Sequence, residues 1–158
     1  MQTMPGDLLE RIAALPERTV EAGDLVLRAG GATGQLMFLK RGALDVEIED
    51  EHLVRVAEPG AVIGDIAFLL NRPHTADVRA ASRSVLYVAD DPEAFLKSEP
   101  EVMLYVARVL AERLNAVNHL LIESRKRTGR GSEQDLLLLE TLSRVRRAIS
   151  APPPGAED

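Results

Sequence analysis

The sequence of 158 residues contains no cysteine, so disulfides, thiolate nucleophiles, zinc knuckles and iron–sulfur clusters are all excluded. No apolar run approaches the roughly 18 to 20 residues that span a bilayer. The first residues include Asp7 and Glu10, where a signal peptide is basic and then apolar. Lys and Arg number 19 against 25 Asp and Glu, which argues against a chain that mainly neutralises nucleic-acid phosphates. These absences predict a cytoplasmic protein without membrane insertion.

Short apolar segments with a period of two dominate the region between Arg18 and Asp90. Apolar residues make up 46% of the chain, enough for one sizeable core. Turn sequences separate the segments about every ten residues, and no helical pattern lies between them as a parallel α/β sheet requires. This pattern predicts an antiparallel sandwich or barrel built from hairpins. The predicted strands are Thr19–Ala22, Leu25–Arg28, Leu36–Lys40, Leu44–Ile48, Leu53–Val56, Thr75–Ala80 and Val85–Val88.

Helical patterns flank the strands and interrupt them once. A short helix is expected from Pro5 to Leu15, and one helical turn after a glycine-led turn is expected within 61–71. A further helix begins at Pro92, and Ser98 or Pro100 opens a long helix that runs to about Arg127. The predicted fold class is therefore α+β: an antiparallel β-roll of the jelly-roll type with a short internal helix and C-terminal helices.

The long helix carries a narrow apolar stripe on one face. Its members recur at spacings of 4, 4, 3 and 4 between polar residues, which suits a partner helix better than a broad core face. We interpret the stripe as the seam of a homodimer, with an intramolecular core face as the alternative. The predicted seam consists of Val106, Leu110, Leu114, Val117 and Leu121.

The last thirty residues differ in composition from the rest. Residues 1–127 form the predicted domain, 128–150 a basic linker with an amphipathic helix, and 151–158 a disordered tail with three consecutive prolines. Seven basic and three acidic residues lie between Arg125 and Arg147, which is typical of a solvated linker and leaves open a site for an acidic partner. A DNA-associated accessory role is a weaker hypothesis, because no room remains for a DNA-reading module.

No pattern in the chain predicts catalysis or a metal centre. Nucleophile–base arrangements, paired carboxylates and phosphate-cleaving loops do not rise above chance, so an enzyme is not expected. His52 and His119 lie far apart and lack the spacing of metal ligands. This also disfavours the cupins, which share a roll-like fold but need clustered histidines.

The order of parts from Asp7 to Arg127 resembles the cyclic-nucleotide-binding domain family. Four segments stand in the family's order, and the ordered set is more specific than any one of them: Glu21–Asp24, Met37–Val46, Gly60–Ala67 and Pro73–Val78. The resemblance implies a homodimeric sensor that binds cAMP or cGMP and signals to an unidentified effector protein through its C-terminal helices, without specific DNA binding. The alternative is a dimeric interaction module of the same fold that no longer binds nucleotide.

In this family the segment corresponding to 64–76 is the phosphate-binding cassette. Its glycine lets the backbone approach the ligand, helix-start N–H groups and a hydroxyl donate to the phosphate, and a carboxylate accepts from the ribose 2′-OH. Asp65 stands at the carboxylate position, Thr75 at the hydroxyl position, and Val117 and Asn118 near positions that contact the base. The implied ligand-binding residues are Gly64, Asp65, Ile66, Ala67, Arg72, His74, Thr75 and Ala76.

Two cassette positions depart from the family pattern. Asp65 replaces a glutamate, and helix capping is an alternative role for it. His74 replaces the arginine that clasps the phosphate, and an imidazole cannot form a bidentate fork. Losing one charge-assisted hydrogen bond costs on the order of 1.5 to 3 kcal/mol, or about 10- to 100-fold in affinity. Arg72 is the candidate substitute, and a surface position for His74 is the alternative to a ligand contact.

Overall fold

The structure is a computed structural model that describes residues 4–49 and 51–128, with the side chains of 125–128 excepted. The helices are α1 Gly6–Ile12, α2 Asp65–Leu69, α3 Pro92–Ser98 and α4 Pro100–Thr128. The strands are β1 Glu17–Val20, β2 Leu25–Leu27, β3 Leu36–Arg41, β4 Leu44–Ile48, β5 Glu51–Val56, β6 Val62–Ile63, β7 Asp77–Ala80 and β8 Ser84–Ala89.

The strands form two four-stranded antiparallel sheets. The first has the order β1-β8-β3-β6 and the second β2-β7-β4-β5. Apart from the β4–β5 hairpin, the paired strands are not consecutive in sequence, as in a jelly roll, because the chain crosses repeatedly from one sheet to the other. The predicted α+β fold with an antiparallel β-roll is therefore confirmed.

The first sheet is buried on both faces, which follows from the alternation of side chains along a strand. In β3, Met37 and Leu39 point toward the second sheet and belong to the core between the two sheets. Leu36 and Phe38 point the other way and pack with residues of α1, α3 and α4 in a second core cluster. All four side chains are 0% exposed. A continuous apolar run in the sequence is thus needed to fill two cores at once.

Several boundaries differ from the sequence-based expectation. β1 lies two residues earlier than predicted, and β6 was not predicted because two residues carry no periodicity. Thr75 and Ala76 precede β7 rather than beginning it. The helix starts at Pro92 and Pro100 are confirmed, and Asp91 caps the first of these helices by accepting from the Ala94 N–H.

The chain divides into two compact units, Met1–Ala111 and Glu112–Asp158. The first contains both sheets and the beginning of α4, and the second is described only as far as 128. The predicted terminal helix and tail lie outside the described residues. Among the helices of the described ranges, none combines the length and apolar character that a membrane span requires.

Leu86 provides a test of the core between the sheets. Its side chain is 0% exposed in the middle of β8, so Leu86→Ala is expected to lower the free energy of unfolding by about 2 to 5 kcal/mol. Leu53→Ala on β5 is the matched control, because Leu53 is 62% exposed and its truncation removes little burial. Urea denaturation followed by circular dichroism measures both, and equal effects would contradict the assigned core.

Candidate functional site

The candidate site begins at the turn that joins β6 to α2. Gly64 has φ 86° and ψ 0°, a left-handed conformation that favours glycine. Ile63 is opposite Met37 in the β3–β6 pairing, which brings the next residue, Gly64, against the end of the loop before β3. A Cβ on Gly64 would lie 2.7 Å from the carbonyl oxygen of Gln35. Both the backbone conformation and the space therefore require glycine here.

Helix α2 follows this turn and presents its first amide groups there. Its first backbone hydrogen bond runs from the Phe68 N–H to the Gly64 carbonyl at 3.1 Å, so the N–H groups of Ile66 and Ala67 have no acceptor within the helix. Gly64 is the N-cap residue, without a side-chain capping bond, and Asp65 is the first helical residue. Asp65 is 4% exposed. The alternative role of Asp65 as the N-cap residue is therefore wrong.

His74 is held inside the molecule by its backbone and by its ring. Its N–H donates to the Gly31 carbonyl and its carbonyl accepts from the Gly30 N–H, both at 2.8 Å. The ring is 7% exposed, and Nε2 lies 3.0 Å from Oγ1 of Thr33. Burial lowers the pKa of the imidazole below its ordinary value. His74 is thus buried, and its burial favours the neutral form of the ring; the alternative of a surface position is wrong.

A cavity of about 230 Å³ lies between the β2–β3 loop and the segment that runs from Ala67 in α2 to His74. It brings together three of the predicted residues, Ala67, Arg72 and His74. Its lining consists of Ala32, Thr33, Gly34, Gln35, Ala67, Phe68, Asn71, Arg72, Pro73 and His74. Five predicted residues, all within the described part of the chain, are not in this lining: Gly64, Asp65, Ile66, Thr75 and Ala76.

Arg72 and Thr75 are exposed, and they flank the buried His74 in the sequence. The Arg72 N–H donates to the Ala67 carbonyl at 3.0 Å, which ties this segment to α2. Arg72 lines the same cavity as His74, and its role as a substitute for the missing arginine stays a prediction. Thr75 lies two residues before β7 and its hydroxyl is accessible to solvent.

A set of partly exposed apolar side chains lies beside the end of the cassette. Val46 is opposite Val54 on β5 and opposite Val78 on β7, so the three share the face that lines the roll. Ile48, two residues along β4, continues this face. Val54 is 43% exposed and Ile48 40% exposed. We call Val46, Ile48 and Val54 the apolar shelf. Ala76 immediately precedes β7, the strand that pairs with β4 beside this shelf.

The sequence did not reveal three polar residues of the cavity, Thr33, Gln35 and Asn71. Thr33 and Gln35 lie in the loop that follows the left-handed Gly30, and no periodicity distinguishes them. Asn71 has a left-handed φ of 48°, a conformation that asparagine tolerates better than most residues. An asparagine after a short helix and before Arg-Pro was the one signal that could have marked this turn.

The predicted seam on α4 is divided in the structure. Val106 is 3% exposed and belongs to the second core cluster, so it has no surface left for a partner helix, which corrects its assignment to the seam. Leu110 packs against the same cluster and is partly buried. Leu114 and Val117 are 48% and 50% exposed, and Leu121 is intermediate. Val117 and Asn118, the suggested base contacts, are exposed in the second unit, and that role stays a prediction.

Within the described residues, no group of three or more His, Asp or Glu side chains could hold a metal ion. His52 instead contacts Asp45, with Nε2 3.1 Å from the carboxylate, and Arg55 donates two hydrogen bonds to the same carboxylate. Mainly through the Arg55 hydrogen bonds, the pKa of Asp45 is lowered to about 2. This cluster is an ion pair on the outer face of the second sheet.

The buried ring of His74 predicts how stability depends on pH. Because its pKa is lowered on folding, the unfolded chain binds more protons below about pH 6.5, and the free energy of unfolding falls as pH decreases from 7 to 5. One proton limits this slope to about 1.4 kcal/mol per pH unit. In urea titrations, His74→Gln is expected to flatten the slope. The exposed His119→Gln is the control, and an equal change in both variants would contradict the prediction.

The sequence was compared with known proteins. The cyclic nucleotide-binding domain family matches residues 17–97, a little over half of the chain. The cAMP-dependent protein kinase regulatory subunit of Blastocladiella emersonii is 34% identical over 83 residues, which cover 50% of this chain and 21% of that protein. A cyclic nucleotide-gated potassium channel of Mesorhizobium japonicum is 31% identical over 114 residues, covering 71% of this chain and 31% of the channel. The chain thus spans about a fifth to a third of these relatives.

The fold has solved counterparts. The catabolite activator protein of Thermus thermophilus superposes with a TM-score of 0.63 at 19% identity, covering 75% of this chain and 58% of that chain. At this identity the likeness shows a common fold. Together with the match over 17–97, which includes the whole predicted cassette, it shows that the chain belongs to the cyclic nucleotide-binding domain family.

Proposed function

We propose that the chain binds a cyclic nucleotide, cAMP or cGMP, as a regulatory module. The observation that carries the proposal is the position of the apolar shelf beside the polar cassette. The shelf leaves Ile48 and Val54 40% and 43% exposed on the face that lines the roll, where apolar side chains are otherwise buried. An anion bearing a flat apolar ring satisfies both halves, with its phosphate at the cassette and its base on the shelf.

The cassette offers three side-chain hydrogen-bond donors, of which Arg72 carries a formal charge. Arg72 supplies a guanidinium from the cavity rim, Thr75 an exposed hydroxyl, and His74 a neutral ring. A neutral donor replaces a charge-assisted bidentate pair, so the phosphate contact is weaker by about 1.5 to 3 kcal/mol than one made by arginine. The expected affinity is therefore about 10- to 100-fold below that of an otherwise equal site with arginine at position 74.

Occupancy passes to a partner through α4 in this proposal. The Tyr105 hydroxyl, buried at the start of α4, donates to the Gly60 carbonyl at 3.3 Å. Gly60 lies four residues before Gly64, so the segment that leads through β6 into the cassette turn also contacts the helix. A ligand that favours one arrangement of this segment changes the arrangement of α4 only by its difference in affinity for the two.

Isothermal titration calorimetry with cAMP and cGMP tests the ligand. Binding is expected, with 5′-AMP as the weaker, dianionic control, and His74→Arg is expected to tighten binding by about 10- to 100-fold. Val54→Asp on the apolar shelf is expected to abolish binding, because it places a charge against the base and near the phosphate. Leu53→Asp is the matched control, since Leu53 is 62% exposed at the irregular position beside Val54.

No heat and no thermal shift at millimolar cAMP or cGMP would reject the nucleotide-binding proposal. The interaction module without a ligand would then be the remaining function of the fold. If Val54→Asp and Leu53→Asp weaken binding equally, the chain still binds a nucleotide, but the base does not lie on the apolar shelf.

We also propose that the exposed part of the seam mediates a homodimer. Leu114→Glu is expected to convert the dimer to a monomer in sedimentation velocity, because two carboxylates would face each other in an apolar contact. Ile122→Glu is the matched control: it is 52% exposed on the same helix, but at 100° per residue it lies away from the seam. An unchanged dimer in Leu114→Glu, or a monomeric wild type, would refute the seam.

A further inference from the structure

We propose that Thr33 is a positioning residue of the nucleotide site: its hydroxyl holds His74 in the tautomer whose Nδ1–H donates to the ligand phosphate. Thr33 lies outside the cassette, in the loop between β2 and β3. The inference rests on the proposed function and specifies how a histidine serves the position where the family has an arginine.

The first observation is a buried ring nitrogen without a partner. The His74 residue is 7% exposed, and among the described residues its ring makes one hydrogen bond, between Nε2 and Thr33 Oγ1 at 3.0 Å. Within residues 4–49 and 51–124, Nδ1 has no hydrogen-bond partner. Buried polar atoms in folded proteins nearly always have one. The ring lines the cavity, and its backbone is fixed to Gly30 and Gly31, so Nδ1 is available to a molecule bound in that region.

The second observation concerns the contact with Thr33. The Gln35 N–H donates to Thr33 Oγ1 at 3.3 Å, which occupies one of the two lone pairs of the hydroxyl oxygen. The hydroxyl hydrogen remains free to donate, and His74 Nε2 is the nitrogen in contact, so we assign Thr33 as the donor of this bond. With Nε2 as the acceptor, the proton of the neutral ring is on Nδ1.

The chemistry of the ligand follows from this arrangement. Nδ1–H is a buried donor without formal charge on the wall of a cavity whose charged lining residue is Arg72. Such a donor satisfies one acceptor oxygen, and a single guanidinium balances one negative charge. The pair therefore suits the monoanionic phosphodiester of a cyclic nucleotide better than a dianionic phosphomonoester.

The tautomer can be measured without ligand. In protein labelled with ¹⁵N in its histidines, long-range proton–nitrogen spectra at pH 7.5 distinguish the protonated from the bare ring nitrogen. The chain has three histidines, and the signals missing in His74→Gln identify those of His74. We expect Nδ1–H in the wild type and in Thr33→Ser, and a shift toward Nε2–H in Thr33→Val. An Nε2–H ring in the wild type would overturn the proposal.

Affinity for cAMP and cGMP supplies the second measurement. Thr33→Val, which keeps the shape and loses the hydroxyl, is expected to weaken binding by roughly 5- to 10-fold. Thr33→Ser restores the hydroxyl and is expected to bind within about twofold of the wild type. Equal affinities of Thr33→Val and the wild type would overturn the positioning role. Equal loss in Thr33→Val and Thr33→Ser, with both folded, would do the same, because a shape effect of the methyl group would then explain it.

Two substitutions of His74 separate its ring nitrogens. The amide nitrogen of Asn occupies the place of Nδ1, and that of Gln the place of Nε2, so His74→Asn is expected to retain more affinity than His74→Gln. The reverse order would overturn the Nδ1 contact.

If the wild type binds neither nucleotide, the proposed function fails and with it the phosphate contact, whatever the tautomer. If the wild type binds with an Nε2–H ring, only the role of Thr33 fails.

Discussion

The close approach of Gly64 to the carbonyl oxygen of Gln35 is the contact on which the rest of the site depends. A left-handed residue here turns the chain from β6 into α2 within one peptide, and the absent Cβ leaves room for the carbonyl. The same approach places the loop before β3 beside the cassette. His74 Cε1 lies 3.8 Å from where a Gly64 Cβ would be, so turn, loop and ring form one packed unit. Any side chain at position 64 separates these parts.

The frame behind the turn is rigid because one sheet serves two cores. Alternate residues of β3 fill the space between the sheets and the space under the helices, so β3 cannot shift without disturbing both. Gly60 contacts this frame closely: a Cβ there would lie 2.7 Å from the Cβ of Met4, and its carbonyl accepts from Tyr105. The segment between Gly60 and Gly64 is thus fixed at both ends, and it is where the cassette and the helices meet.

The sequence predicted most of the fold because its elements have strong local signals. The period-two segments and the glycine-containing turns located seven of the eight strands, and the prolines at 92 and 100 marked two helix starts. β6 was missed because two residues cannot show a period, and its existence depends on pairing with a strand more than twenty residues away. The sequence pattern also could not show which residues of the apolar stripe on α4 are buried in the core and which are exposed. Val106 and Leu114 occupy equivalent positions in the pattern, and only the packing of the second core cluster distinguishes them.

The site was less predictable, because its contacts join distant loops. The cassette residues could be named from the family order, but the partner of His74 is 41 residues away in a loop without periodicity. Nothing local in Ala32-Thr33-Gly34 shows that one hydroxyl faces an imidazole. The burial of His74 likewise depends on backbone hydrogen bonds to Gly30 and Gly31, which join two segments that are distant in sequence.

Histidine in place of arginine at position 74 also removes a buried charge from the site when no ligand is bound. A buried guanidinium stays charged and needs an anion or a carboxylate nearby, whereas a neutral ring bonded to Thr33 is stable without either. In the proposed nucleotide site, the energy gained at this position is therefore smaller than with arginine, and a larger share comes from the apolar shelf and from Arg72. Because the cost of desolvating an ion rises steeply with its charge, a site built this way favours a ligand with one negative charge and a large apolar surface.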